Sequence, residues 1–325
     1  MITHGTDKKQ SSVLKSISKM TFLPAVTLFI LFVILNIFIT RRFLTSGFMI
    51  GFFTANAPLV LIAIGVSVVL IGGGIDISLG AITCLVNVVF ISLVGNGWSF
   101  GSAAIVGLVI ALVCGVINGI IVGFFRVPPL LATFATTSVF GGIALWIMPT
   151  PGGSAPMGLI NWYNSLFLGL PAPIFIIVAA LLIWVAIKYS PIRIWLYSMG
   201  RDEKKAYMSA VPVKWTQLFM YSFSGLLAGI GALCLTGSIG SGDPLAGLPL
   251  ALSAIAACVI GGISLSGGKG SILGSVFGAL FLGLVITTVL SAKINPFYQD
   301  FFSGVIILVG VIGATLLSRK FMNKA

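Results

Sequence analysis

The sequence predicts an all-α polytopic membrane protein of about ten transmembrane helices, some broken by glycine, with cytoplasmic N- and C-termini. Hydrophobic residues make up 58% of the 325 residues and charged residues only 7%, and the mean hydropathy is +1.18. This balance lies far outside that of soluble domains. Apolar runs long enough to cross a hydrocarbon core of roughly 30 Å recur along the whole chain. The basic residues fall in the gaps between these runs.

The chain divides into a cytoplasmic tail (1–19), a transmembrane domain (20–318) and a second cytoplasmic tail (319–325). The first apolar run is too long for a signal-peptide core and ends without a small-residue cleavage site, so we expect it to be retained as a span. Ten spans fit within a few residues, at 20–40, 48–71, 77–95, 101–125, 130–148, 173–189, 216–238, 248–266, 272–291 and 298–318.

The distribution of basic residues supports this count. Ten spans from a cytoplasmic N-terminus leave only Arg41, Arg42 and Lys293 outside, and the positive-inside rule expects such a bias. Fifteen of the 18 basic residues then lie inside: Lys8, Lys9, Lys15, Lys19, Arg126, Lys188, Arg193, Arg201, Lys204, Lys205, Lys214, Lys269, Arg319, Lys320 and Lys324. The net charge of +12 is therefore explained by orientation in a bilayer, and we expect no nucleic-acid partner.

The segment 190–215 is the longest hydrophilic stretch between apolar runs. Gly200 punctuates it, Asp202 and Glu203 suit the N-terminus of a short helix, and Pro212 stops the run. A polar helix between membrane spans has little apolar surface to bury. We expect another protein to hold it, although a solvated face is the alternative.

The stretch GGGIDISLGAI (72–82) is the sharpest local motif. Three successive glycines, Gly72, Gly73 and Gly74, each destabilise a helix by roughly 1 kcal/mol relative to alanine, so the second span should end or unwind here. Asp76 lies at the junction of the second and third predicted spans and is a functional candidate at membrane depth. The alternative is that Asp76 caps the third span with help from Ser78.

A second stretch, GGISLSGGKGSI (261–272), echoes the first with a double glycine after an apolar run. Paired glycine-broken helices in two halves of a transporter indicate its pathway or moving parts. The surroundings and spacing of Lys269 do not match a phosphate-binding loop, so we expect no nucleotide site. The candidate pathway or gating residues of the two stretches are Gly72, Gly73, Gly74, Asp76, Ser78, Gly261, Gly262, Ser264, Gly267 and Gly268.

Three further patterns concern packing and the bilayer surface. Glycines recur at intervals of four in the series 115, 119, 123 and 270, 274, 278, which indicates close helix packing unless it is chance. Four scattered cysteines read as buried small hydrophobic residues. The outer loop 149–172 is uncharged, and three aromatics in or beside it fit an interfacial belt: Trp146, Trp162 and Tyr163. The alternative is that this loop contacts a partner outside the membrane.

The sequence contains few residues that could take part in catalysis. The one histidine is His4, and the six acidic residues never cluster. Neither a metal site nor a nucleophile with its base can be assembled from sequence neighbours, so an enzyme is not expected.

Four blocks of sequence resemble the permease subunit of ribose-type sugar importers of the ATP-binding-cassette (ABC) class. They are GGGIDISLG, NGIIVGFFRVPPLLATFAT and the longer blocks 199–233 and 240–280, in the same order and spacing. The resemblance implies an inner-membrane permease that works with a second copy or a close homologue, a cytoplasmic ATPase that binds ATP and Mg²⁺, and a periplasmic sugar-binding protein. It also implies no cofactor in this chain.

The resemblance further implies that the charged segment is the contact with the ATPase. Its candidate coupling residues are Gly200, Arg201, Asp202, Glu203, Lys204, Lys205, Ala206, Ser209 and Pro212. Two alternatives remain open at this point. One is a permease of the same architecture for branched-chain amino acids or nucleosides, and the other is a stand-alone carrier or membrane enzyme.

Overall fold

The computed structural model describes residues 22–292 and seven isolated later positions, 298, 301, 302, 304, 305, 308 and 312. In that part of the chain the helices are α1 (Leu23–Ile39), α2 (Ser46–Ile71), α3 (Leu79–Gly95), α4 (Phe100–Gly123), α5 (Pro129–Ile147), α6 (Met157–Tyr163), α7 (Ala172–Lys188), α8 (Pro191–Arg201), α9 (Glu203–Met208), α10 (Val213–Ile239), α11 (Leu248–Ile260) and α12 (Ile272–Ser291). Strands β1 (Leu166–Phe167) and β2 (Leu170–Pro171) form a small antiparallel hairpin. The tails 1–19 and 319–325, and most of the tenth predicted span, fall outside the described residues.

Five of these helices are long and apolar enough to cross a membrane, namely α2, α4, α5, α10 and α12. Helices α7 and α8 pass the same test together but meet at a bend of 84°, which would make a sixth span. Helices α1, α3 and α11 are apolar but have fewer than 18 residues. The architecture is therefore a polytopic all-α membrane protein, while ten spans and cytoplasmic termini stay predictions.

Helix boundaries correct one predicted span. The eighth span was expected at 248–266, but α11 ends at Ile260. The helix stops because Gly262 has a positive φ of 81°, a conformation that glycine adopts without strain. Residues 261–271 then form a connecting loop before α12.

Helix α10 lies at the centre of the packing, between α2 and α4. A Cβ atom at Gly119 would lie 2.8 Å from the Cα of Leu218, and one at Gly123 would lie 3.0 Å from the carbonyl oxygen of Lys214. Gly115 faces the backbone of Tyr221 in the same way. The glycine series of α4 therefore serves close packing against α10, as predicted.

The second glycine series does the same for α11 and α12. Gly274 lies against the backbone of Gly261, and Gly278 lies against the backbone of Ala257. All four cysteines of the chain are buried, which confirms their prediction as interior small residues: Cys84, Cys114, Cys234 and Cys258.

Loops predicted on the same side of the bilayer contact one another. Gly152 and Gly242, both in predicted outer loops, exchange two backbone hydrogen bonds of 2.9 Å. At the opposite end, the backbone N–H of Gly268 donates to the carbonyl oxygen of Ile71 at 2.9 Å. This pairing of loops agrees with the predicted alternation of the spans that precede residue 292.

The outer loop 149–172 is more ordered than its sequence suggests, since it holds α6 and the hairpin. Trp146 and Trp162 are exposed, as an interfacial position requires. Tyr163 is not: it is 1% exposed, and its hydroxyl donates to the carbonyl oxygen of Thr54 at 2.9 Å. The belt prediction is therefore wrong for Tyr163, which packs against Gly237 of α10.

Candidate functional site

The charged segment begins where α7 turns sharply into α8. Ser190 caps α8 by accepting a hydrogen bond from the backbone N–H of Ile192, and Pro191 occupies the first helical position, where its missing N–H costs nothing. Within α8, Leu196, Met199 and Gly200 are buried. The segment is therefore not wholly hydrophilic, because α8 packs one face against the body of the protein.

The predicted short helix is present as α9, with Asp202 and Glu203 at its N-terminus as expected, and it ends at Met208, before Pro212. Asp202 separates α8 from α9 and caps α9, because its Oδ1 accepts a hydrogen bond of 3.0 Å from the backbone N–H of Lys205. This bond and the nearby Lys205 ammonium, 3.2 Å from Oδ2, hold the pKa of Asp202 below its ordinary value. Pro212 has a role that the sequence did not indicate, since it stands at the N-cap of α10.

Helix α9 presents a mixed surface to its surroundings. Ala206 is buried, whereas Lys204, Lys205 and Ser209 are exposed. Tyr207 and Met208, which sequence reasoning missed, are 69% and 86% exposed. Large apolar side chains among basic residues on a polar helix are typical of a protein-binding surface. Their presence in an otherwise polar stretch was the available signal.

Arg126, in the α4–α5 loop, contacts α9 and was not among the predicted site residues. Its guanidinium forms an ion pair with the Glu203 carboxylate. Both side chains are about half exposed, so the pair adds little to folding stability. Its consequence is positional, because it links α9 to the end of α4.

The two glycine-rich stretches form the same turn. In the first, the backbone N–H groups of Gly72, Gly73 and Gly74 donate to the carbonyl oxygens of Val68, Leu70 and Val69. In the second, the corresponding N–H groups of Gly261, Gly262 and Ile263 donate to Ala257, Val259 and Cys258. Gly73 and Gly262 have positive φ angles of 84° and 81°. This is the Schellman arrangement that ends a helix at glycine, and it confirms the predicted echo.

Gly200, in the charged segment, contacts the first turn and the loop that follows the second turn. A Cβ at Gly73 would lie 3.2 Å from the Cα of Gly200, and one at Gly267 would lie 3.0 Å from the same atom. A Cβ at Gly200 itself would overlap the carbonyl oxygen of Ile71, and Gly268 packs against Arg201. We call this contact of three backbones the glycine junction. It brings Gly73 and Gly267 to Gly200, from which they are separated by about 130 and about 65 positions in sequence.

A cavity of about 420 Å³ opens beside the glycine junction. Its lining combines the first turn, the α4–α5 loop, the end of α8 and the start of α10, and includes Gly74, Arg126, Pro129, Met199, Arg201, Glu203, Gln217 and Ser266. Ser264 lies in the second turn, where its hydroxyl oxygen accepts from the backbone N–H of Ser266 at 3.2 Å.

Asp76 lies fully buried in the linker between α2 and α3. Its Oδ1 accepts hydrogen bonds from the backbone N–H of Ser78 at 2.9 Å and from the Ser78 hydroxyl at 2.6 Å. Ser78 is the N-cap residue of α3, but no side chain caps the helix. The capping alternative is therefore wrong for Asp76 in its usual form, since the carboxylate binds the cap residue and not the first helical N–H groups.

Neighbouring helices complete a polar cluster around Asp76. The side-chain amide of Asn118 in α4 donates to the Ser78 hydroxyl oxygen at 2.7 Å, and the Thr133 hydroxyl in α5 donates to the carbonyl oxygen of Ile75 at 3.2 Å. Among the described residues, no group of three or more histidine, cysteine, aspartate or glutamate side chains could hold a metal ion.

Comparison with known proteins identifies the family. Residues 48–311 match the model described as "Branched-chain amino acid transport system / permease component". The chain belongs to this permease family. The match covers most of the chain and agrees with the resemblance carried by the four sequence blocks.

Relatives with specific names match over nearly their full length. The chain is 35% identical over 301 residues to the ribose import permease protein of Bacillus subtilis, covering 91% of this chain and 92% of the relative. It is 31% identical to the D-allose transport system permease protein of Escherichia coli, covering 90% and 92%. It is 29% identical to an autoinducer 2 import system permease protein of Escherichia coli, covering 92% and 88%. These relatives are transport permeases, and no solved structure matches the chain.

Proposed function

We propose that this chain is the permease subunit of an ABC importer and forms the translocation path for a sugar or sugar-like solute. The relatives that support this substrate class are named for ribose, D-allose and autoinducer 2 import. The chain itself would carry out no chemistry and hold no cofactor. ATP and Mg²⁺ would bind to a separate ATPase subunit, and the complex would lie in the bacterial inner membrane.

The glycine junction is the main support for the proposal that the ATPase is coupled to the permease helices through α9. Helix α9 offers an exposed surface of Lys204, Tyr207 and Met208 to a partner. One residue before Arg201, Gly200 touches the turn that ends α2 and also Gly267 and Gly268, in the loop between α11 and α12. A partner that moves α9 would therefore act on both glycine-broken helices through one rigid contact, because packed backbones shift as units.

Two further partners complete the proposed complex. An exposed apolar face of α4, with Ile105, Val109 and Val113, suits a second permease chain or the bilayer. A periplasmic binding protein would deliver the solute to the outer end, near the uncharged loop 149–172. Whether the second chain is identical or a homologue is a question for copurification.

Replacing Glu203, Lys204 and Lys205 together with alanine tests the docking surface. These residues are partly or fully exposed, so the variant should insert normally, while solute uptake and stimulation of the ATPase should both fall by about tenfold, the effect of losing roughly 1.4 kcal/mol of binding. The matched control is Lys188→Ala, an exposed lysine at the end of α7 outside the surface. Uptake into proteoliposomes at the normal rate by the triple variant would show that α9 is not the docking site.

The family description favours a second candidate solute class, the branched-chain amino acids. Titration calorimetry on the periplasmic binding protein that supports uptake by this permease separates the two. Heat of binding with pentoses or hexoses, and none with leucine or valine, is the result expected. The reverse result would move the assignment to amino acids and leave the coupling proposal unchanged.

A further inference from the structure

The polar cluster around Asp76 contains several oxygen atoms that have no hydrogen-bond partner. They include Asp76 Oδ2, Asn118 Oδ1 and the Tyr221 hydroxyl, and all three side chains are 0% exposed. A buried polar atom without a partner costs on the order of 1–3 kcal/mol, so native proteins rarely leave three together. These three buried oxygen atoms make the cluster a candidate site for a ligand.

The three side chains lie in one layer of the protein. Asn118 reaches Ser78, and Ser78 in turn reaches Asp76, through hydrogen bonds of 2.7 and 2.6 Å. From α10, the Tyr221 hydroxyl oxygen lies 2.5 Å from the position that a Cβ on Gly74 would take, and it is within electrostatic range of Asp76. These contacts place the site between the α2–α3 linker, α4 and α10.

Charge identifies the kind of ligand. The ion pairs of the described residues are Arg126–Glu203 and Lys205–Asp202, so Asp76 has no cationic side chain beside it. Two Ser78 donors and the N-terminus of α3 stabilise a negative charge on this carboxylate, but its second oxygen is buried without compensation. A carboxylate cut off from water stays ionised only with a positive charge nearby and otherwise takes up a proton.

The atoms available as ligands to a cation are hard oxygen atoms, from one carboxylate, one amide and one phenol. Hard cations prefer such donors, whereas soft metals prefer thiolate or imidazole. A single carboxylate balances one positive charge and leaves a divalent ion with an excess of charge. Unwound backbone between two membrane helices is a recurrent place for a monovalent cation in transporters.

We propose that this pocket binds one monovalent cation, best matched by Na⁺, with Asp76 Oδ2, Asn118 Oδ1 and the Tyr221 hydroxyl oxygen as ligands. The ion would bridge the linker after the first glycine turn to α4 and α10. It would thereby fix the position of that turn against the packed body of the protein. This inference rests on the permease architecture and does not depend on which solute is carried.

The test uses the purified permease complex in nanodiscs, without solute, so that its outcome is separate from that of the transport proposal. Thermal unfolding is measured in NaCl and in choline chloride at equal ionic strength. Because a ligand that binds only the folded state stabilises it, Na⁺ should raise the melting temperature saturably, on the order of 3 °C or more. Binding of radioactive Na⁺ at about one ion per permease chain is the independent readout.

Variants locate the effect. Asp76→Asn should abolish both the Na⁺-dependent shift and the bound radioactivity, and Tyr221→Phe should raise the half-saturating Na⁺ concentration severalfold. Asp243→Asn is the matched control, since Asp243 Oδ1 already accepts from the backbone N–H groups of Leu245 and Ala246. Equal melting in Na⁺ and choline, or a Na⁺ response that survives Asp76→Asn, would overturn the proposal. A response to pH alone would also overturn it and would assign a proton to the pocket.

Discussion

The two glycine-rich stretches share one backbone turn but lie in opposite surroundings. Residues 72–74 and 261–263 make matching hydrogen bonds, and Gly73 and Gly262 take nearly equal positive φ angles. In the same register, the position of Asp76 corresponds to Leu265, which is 52% exposed. The turn is therefore a general way to end a helix, while the buried acid makes only the first stretch chemically distinctive.

The difference separates two roles within the proposed transport cycle. The first turn and the loop that follows the second turn both touch Gly200, so both segments would follow the motion of α8 and α9. Only the first turn leads directly into a buried polar cluster that reaches α4, α5 and α10. We expect the second stretch to transmit the motion of α8 and α9 only. We expect the first stretch to transmit that motion and also to contact the solute or ion.

Exchanging the residues at the two matched positions should give the largest effect. Asp76→Leu leaves the Ser78 donors buried without an acceptor, a cost of about 1–3 kcal/mol, and removes the acid from the cluster, so uptake should fall at least about tenfold. Leu265→Asp places a charge on an exposed site and should change uptake less than about twofold. Uptake per inserted permease in proteoliposomes measures both. Equal losses would show that the two stretches do not differ as described.

Gly200→Ala should be the next largest change. Its new Cβ meets the backbone of Ile71 and Gly268, which cannot move aside as a flexible side chain would, and overpacking of this kind costs about 1–3 kcal/mol. Gly47→Ala is the control, because no atom lies within 4 Å of a Cβ there. Unfolding in mixed micelles should separate the two variants. The same stability in both would contradict the tight junction.

Gly73→Ala and Gly262→Ala compare the turns directly. A left-handed conformation costs an alanine roughly 1–2 kcal/mol in either turn, so both variants should lose similar stability. Gly73→Ala should lose somewhat more, because its Cβ would lie 3.2 Å from the Cα of Gly200. The denaturant midpoints of the two variants give this comparison. A cost at only one site would mean that the turns are not equivalent.

Arg126→Gln should have the smallest effect on stability. The ion pair with Glu203 is half exposed, so its loss should cost less than about 1 kcal/mol. ATPase stimulation should fall modestly if the pair holds α9 in place. The comparison with Lys214→Gln, another basic residue near the same end, separates a specific pair from a general loss of positive charge. Loss of folding in Arg126→Gln would show that the pair is structural.

The sequence predicted the first turn because successive glycines destabilise a helix, but the predicted eighth span continued through the second turn to residue 266. The charges of Asp202 and Glu203 likewise predicted α9. Glycine spacing predicted close helix packing, but not that α4 packs against α10. The glycine junction could not be predicted, since it depends on three segments distant in sequence. Asn118 and Tyr221 were missed for the same reason, because each looks like an ordinary residue of an apolar helix until the fold sets it beside Asp76.

Other misses have local causes. Pro191–Arg201 mixes apolar and basic residues, so its charges concealed the helix that packs Leu196 and Met199 into the body of the protein. Tyr163 lies at the end of a loop rich in aromatic residues, where sequence alone does not separate a bilayer contact from a buried hydrogen bond. The seven-residue helix α6 that carries it is too short to be recognised from periodicity.

The number of solute molecules moved per ATP hydrolysed tests the central claim most directly, measured in proteoliposomes for the complex with wild-type permease and with Gly200→Ala. If α9 acts on both glycine-broken helices through the glycine junction, the assembled variant should continue to hydrolyse ATP while transport falls, so this ratio should drop about tenfold or more, equivalent to roughly 1.4 kcal/mol of lost coupling. An unchanged ratio in a fully assembled Gly200→Ala complex would contradict transmission through this contact.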